Sequence, residues 1–88
     1  MYELSTKKLT KLNEGLYRAD MKLNNFGGST VDVAVDFRIV SGRLEGTVSG
    51  MDTSNLDPYM ETYALDLKRN QTFLSEALSN IAAYIQHH

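Results

Sequence analysis

Two stretches of alternating residues constrain this chain more than anything else in it: "LYRADMKL" at 16–23 and "TVDVAVDFRI" at 30–39. In the first, Tyr17, Ala19, Met21 and Leu23 alternate with Arg18, Asp20 and Lys22. In the second, Val31, Val33, Val35, Phe37 and Ile39 are apolar, and Asp32, Asp36 and Arg38 fall on the other face. A period of two marks a strand with one face in the core and one in water. Joined by the glycine-bearing "NNFGGS", the two segments read as an antiparallel hairpin.

Parity sets the register of that hairpin. Both apolar faces lie on one side only if the loop holds an odd number of residues, and Phe26-Gly27-Gly28 is the natural choice. Leu23 then faces Val31, Met21 faces Val33 and Tyr17 faces Phe37. The same register puts Lys22 opposite Asp32 and Arg18 opposite Asp36, a charge match that played no part in choosing the loop. A second hairpin turns at Ser41-Gly42 and sets Ile39 against Leu44, Val35 against Val48 and Arg38 against Glu45. Its far strand, "LEGTVSGMD", is expected to place Gly46 and Gly50 on the core side, leaving room for a helix to pack close.

Helix signals follow. In "TSNLDPYMETYALDLKRN", Ser54 with Asp57 three residues on resembles a capping box, and Asp57-Pro58 resembles a cap with proline at the first helical position. Met60, Tyr63, Ala64 and Leu67 have the spacing of a buried face, and Lys68 and Arg69 suit the C-terminal end. "NQT", with Asn70 or Thr72 as cap, either bends one helix or separates two. Residues 2–14 are open to two readings. As a short helix they have Ser5 as cap and Leu4 and Leu9 as a staple, but lysines at the wrong end. As a strand turning through Asn13-Glu14-Gly15 they set Lys8 opposite Asp20 and aim Lys7 and Lys11 at the apolar face, which is tolerable at an edge. The strand is the preferred reading. The expected architecture is a single α+β domain over 1–88. It is an antiparallel meander of four strands, or three (2–14, 16–25, 29–40, 43–52), with helices at 55–69 and 72–86 packed on one sheet face.

Composition limits the chemistry. A chain of 88 residues buries only roughly 60–65% of its unfolded surface, so its margin of stability is thin and association with a second copy is one remedy. The absence of cysteine removes disulfides, thiolate catalysis and Cys-type zinc sites, and suits a reducing compartment. The only histidines, His87 and His88, read as the stub of a purification tag and are set aside. No segment has the apolar length of a membrane span or the h-region of a leader, so a cytoplasmic protein is expected. Without histidine or cysteine, no serine has a conventional catalytic base, and "GGST" lacks the length and the lysine of a phosphate-binding loop. Asp52, Ser54, Asn55 and Asp57 fall short of a calcium loop and are better explained as a strand end and a helix cap. Asp32, Asp36 and Glu45 each face a basic residue, which keeps a carboxylate ionised rather than poised for catalysis. The expectation is a protein that is not an enzyme and carries no cofactor and no metal.

What remains is binding. In the last helix, Phe73, Leu74, Ala77, Leu78, Ile81, Ala82, Tyr84 and Ile85 cover more than one stripe, and Glu76 is the main charge. Leu74, Leu78, Ile81, Tyr84 and Ile85 are therefore expected to meet a second copy, forming a homodimer, or another protein; the other reading is a helix buried between sheet and neighbour. A nucleic-acid module using Lys7, Lys8, Lys11 and Arg43 is the alternative. A helical first segment would give the order α-β-β-β-α, similar to that of the double-stranded RNA-binding domain. That family's basic cluster begins the last helix, where this chain has Asp57 and Glu61. The net charge of −2 and the inward-facing Tyr17 and Phe37 also offer little to phosphates or bases. A third reading uses Asp57, Glu61 and Asp66 as an acidic surface that inhibits a nucleic-acid-binding protein.

Overall fold

The computed structural model describes residues 2–87. Each alternating segment is a strand: β1 (Glu3–Asn13), β2 (Leu16–Phe26), β3 (Ser29–Val40) and β4 (Arg43–Met51), followed by α1 (Pro58–Lys68) and α2 (Gln71–His87). The strands form one antiparallel sheet in the order β1-β2-β3-β4, and the two helices pack against it, an α+β fold. The first segment is thus a strand, and the C-terminal region is two helices. His88 lies outside the described residues.

The central registers follow the parity argument. Leu23 pairs with Val31, Met21 with Val33 and Tyr17 with Phe37, while Lys22 meets Asp32 and Arg18 meets Asp36. Across the next pair, Ile39 faces Leu44, Arg38 faces Glu45 and Val35 faces Val48. Ser41 and Gly42 both have positive φ, 53° and 76°, as a two-residue turn matched to the strand twist requires.

Four register shifts depart from simple alternation, one of them between Lys11 and Asn13 beside the first turn, and one physical cause accounts for the other three. A strand presents alternate residues to one face, so two core residues separated by an odd number cannot both be buried unless an extra residue intervenes. Leu4 and Leu9 both lie on the core face, and the register between β1 and β2 slips at Lys7, between Thr6 and Lys8. Leu23 and Phe26 are both buried, and the slip falls between them, with Asn25 at φ 58°. Val48 and Met51 both pack on the core, and the slip falls at Ser49.

Three expectations are corrected by these bulges, and a fourth by the close approach of β3 to β4. Phe26 is not a loop residue: it pairs with Ser29, and the turn is Gly27-Gly28 alone, the odd residue being absorbed into β2. Lys7 leaves the apolar face and joins Asp20, Lys22 and Asp32 around a depression on the open side of the sheet. Gly50 pairs with Ala34 on that open side, because the Ser49 bulge reverses its direction. Gly46 does lie opposite the core residue Phe37, but a Cβ there would meet the Asp36 carbonyl oxygen at 2.3 Å; the close neighbour is β3 itself, not a helix.

The core joins Met21, Leu23, Val31, Val33, Val35 and Phe37 of the sheet to Ala64, Leu67, Phe73, Ala77 and Ile81 of the helices. Tyr17 stacks on Phe37 at 5.6 Å, and Tyr2 meets Phe73 edge-on at 5.9 Å. The N-cap of α1 is Asp57, whose side chain accepts from Met60 N, with Pro58 beginning the helix; Ser54 caps nothing, its N–H donating to Asp52 instead. Asn70 caps α2, its Oδ1 accepting from Thr72 N at 2.8 Å and Phe73 N at 3.1 Å. Tyr63 is not on the buried face of α1 but 49% exposed at its rim.

Candidate interaction surface

Helix α2 lies between the two edge strands, and its two flanks differ in chemistry. Toward β1 the seam is bridged by side-chain hydrogen bonds, and it also carries a depression of about 650 Å³ lined by Tyr2, Leu4, Ser75, Glu76, Ser79 and Asn80. Thr6 Oγ1 donates to Asn80 Oδ1 at 2.8 Å, Asn80 Nδ2 donates to the Leu4 carbonyl at 3.2 Å, and the Tyr84 hydroxyl donates to the Lys7 carbonyl at 3.3 Å. At the head of the strand the Tyr2 hydroxyl donates to Glu76 at 3.4 Å. Burial, and then the Glu76 carboxylate, push the Tyr2 hydroxyl pKa above its ordinary value.

Toward β4 the contact is apolar and open. Leu78, Ser79 and Ala82 of α2 line a depression of about 350 Å³ with Gly42, Arg43 and Leu44. Leu44, Val48, Leu74 and Leu78 all pack on the core but remain only partly buried. The apolar row of α2 also runs past its cover: Phe73, Ala77 and Ile81 are buried, and Ile85, four residues further, is 40% exposed. On β3 Phe37 is buried and the next core-side residue, Ile39, is 55% exposed. Both rows end where the molecule carries its Glu14-Gly15 and Ser41-Gly42 turns, because α2 runs along β1 toward them.

Of the five residues expected at an interface, Ile81 is 0% exposed and belongs to the core. Leu74 and Leu78 sit on the β4 flank, Tyr84 is tied to β1, and Ile85 is at the exposed end. Helical periodicity placed all five near one another without separating core from rim.

The basic residues do not converge. Lys7, Lys8 and Lys11 lie on β1 and Arg43 on β4, the opposite edge strand. Each has an acid nearby: Lys8 pairs across strands with Asp20, Lys11 Nζ is 3.1 Å from Glu14, and Arg43 is 3.9 Å from Glu45. Glu45 therefore has its close ion contact along its own strand, with Arg43, while Arg38 faces it in register. On the acidic side, Asp57 is used as a cap and Glu61 accepts from Thr53 Oγ1 at 3.2 Å. Asp66 lines a shallow surface with Tyr59, Thr62 and Tyr63. That aromatic face, with Tyr59 80% exposed, escaped the sequence reading; the i, i+3, i+4, i+7 spacing of 59, 62, 63 and 66 is the signal that marks it.

On the open sheet face Asp36 and Asp32 are paired with basic side chains. Arg18 grips Asp36 with both nitrogens, Nε to Oδ1 at 2.7 Å and Nη2 to Oδ2 at 3.0 Å, and Ser49 Oγ, carried by its bulge, donates to Asp36 at 3.1 Å. The Arg18 hydrogen bonds hold the Asp36 pKa below the usual carboxylate range. Lys22 Nζ donates to Asp32. Asp52 is also lowered, by the hydrogen bonds it accepts from the side chain and backbone of Ser54. Such pairs anchor a sheet surface.

The class is therefore an open four-stranded antiparallel meander backed on one face by two helices. No helix among the described residues is long and apolar enough to cross a membrane. In comparisons with family models, curated proteins and solved structures, the chain matches none.

Proposed function

We propose that this chain is a small, non-catalytic protein–protein interaction domain of the cytoplasm that self-associates through the α2 flank facing β4. The observation that carries the reading is the cluster of half-covered apolar side chains on the β4 flank. The β1 seam is bridged by side-chain hydrogen bonds, whereas the β4 seam sets Leu44, Val48, Leu74 and Leu78 side by side and half-covered. Large apolar side chains that stay partly exposed beside one another mark a surface suited to a partner. A chain of 88 residues with so small a core also gains stability from the extra apolar area that a second copy would cover.

Light scattering across a wide concentration range, on protein freed of any tag, tests this. The wild-type chain is expected to have twice the mass of one chain, and Leu78→Lys and Ile85→Lys to shift it toward the single-chain mass while keeping the circular dichroism of the fold. A wild-type protein that stays at single-chain mass up to millimolar concentration refutes it.

A further inference from the structure

The two edges of the sheet are not equivalent. β1 is protected in the usual manner of edge strands, with a bulge at Lys7 and lysines at 7, 8 and 11. β4 pairs regularly with β3 from Arg43 to Val48, interrupted only at Ser49. The Ser41-Gly42 turn makes Val40 and Arg43 the closing, hydrogen-bonded pair. Alternation then directs the N–H and C=O groups of Glu45 and Thr47 toward β3 and those of Leu44, Gly46 and Val48 away from it. Among the described residues, no turn, loop or cap hydrogen bond reaches these outward groups. Backbone groups of this kind are satisfied by water or by another strand.

The outward run Leu44-Glu45-Gly46-Thr47-Val48 has the same chemistry read from either end: apolar, polar, glycine, polar, apolar. Resting on the self-association reading above, we propose that two copies join β4 to β4 antiparallel about a two-fold axis at Gly46, making one continuous sheet. In this register each Leu44 faces Val48 of the other copy on the core side. Each Glu45 faces Thr47, whose hydroxyl can donate to the carboxylate. The neighbouring registers are worse. A shift that centres the axis on Glu45 sets two carboxylates against each other, and one centred on Leu44 runs out of strand at the Ser41-Gly42 turn. One centred on Thr47 drives the bulge at Ser49 into the ladder. Pairing through Gly46 also brings the Leu78 flanks of the two α2 helices toward each other above the junction, because each lies beside Leu44 of its own chain.

Disulfide trapping tests the register in a chain that has no cysteine of its own. Glu45 and Thr47 form a non-hydrogen-bonded pair across the axis, the closer of the two cross-strand spacings, with Cβ atoms roughly 4.5–5.5 Å apart, near the reach of a disulfide. Under mild oxidation, an equimolar mixture of E45C and T47C chains should give a covalent dimer joining unlike chains, identified by mass. E45C alone and T47C alone should cross-link at least tenfold more slowly. If light scattering finds a dimer but unlike chains show no preference, the β4 register is wrong and the self-association reading stands. If the wild-type chain is a monomer, both fall, and β4 is left as an edge for a strand of a different protein.

Discussion

A methyl group on Gly46 would lie 2.3 Å from the carbonyl oxygen of Asp36, and 2.9 Å from the Cβ of Phe37. Neither neighbour is the free end of a flexible side chain, so the two strands must separate to admit it. Gly46→Ala is therefore expected to cost about 1–3 kcal/mol. Gly50, on the same strand, has nothing within 4 Å of the position a Cβ would take. Gly50→Ala is expected to cost nothing and to gain up to about 0.5–1 kcal/mol through a less flexible unfolded chain. Urea unfolding of both variants measures the contrast, and equal effects would show that the approach of β3 to β4 is not what holds Gly46.

Acid should weaken the outer sheet face in a way that Asp36 can report. Its folded pKa is depressed, chiefly by the Arg18 hydrogen bonds, so its contribution is fully present above the unfolded carboxylate value and is lost as pH falls through the folded one. Arg18 is partly exposed, so solvent screening keeps the contribution of the pair small. Asp36→Asn should therefore lower the urea midpoint near neutral pH, and the difference from wild type should shrink as pH falls through the depressed folded value. A variant effect that stays constant across that range would assign the loss to packing rather than to charge.

Deleting Lys7 should unseat one end of β1. Without the extra residue, Leu4 and Leu9 cannot both face the core, and Thr6 loses its alignment with Asn80. The expected cost is about 1 kcal/mol, below the roughly 1.5–3 kcal/mol of a fully buried leucine, because Leu4 and Leu9 are only half-covered. Hydrogen exchange should show the amides of residues 3–6 losing protection while β2 and β3 keep theirs. Lys7→Ala, which keeps the bulge, should be nearly silent.

Much of the sheet was legible because strand periodicity is local. The alternation of residues 16–23 and 30–39, with parity alone, determined the pairing of β2 with β3, and the charges of Arg18, Lys22, Asp32 and Asp36 agreed with it. The cap Asp57 was legible for the same reason, and Asn70 as one of two candidates beside Thr72: a short polar side chain before a helical run acts within its own turn.

The bulges and the surface were decided only in the tertiary structure. Whether Leu4 and Leu9, Leu23 and Phe26, or Val48 and Met51 share one face depends on which of them the core can cover, and residues distant in the chain make that choice. The same holds for α2. Its sequence showed an apolar surface wider than one stripe. The seating of Asn80 and Tyr84 against β1 buried Ile81 and left Leu74 and Leu78 turned toward the open edge of β4. Periodicity reports which residues share a face, but burial depends on what packs against that face, and the packing partners come from the far end of the chain.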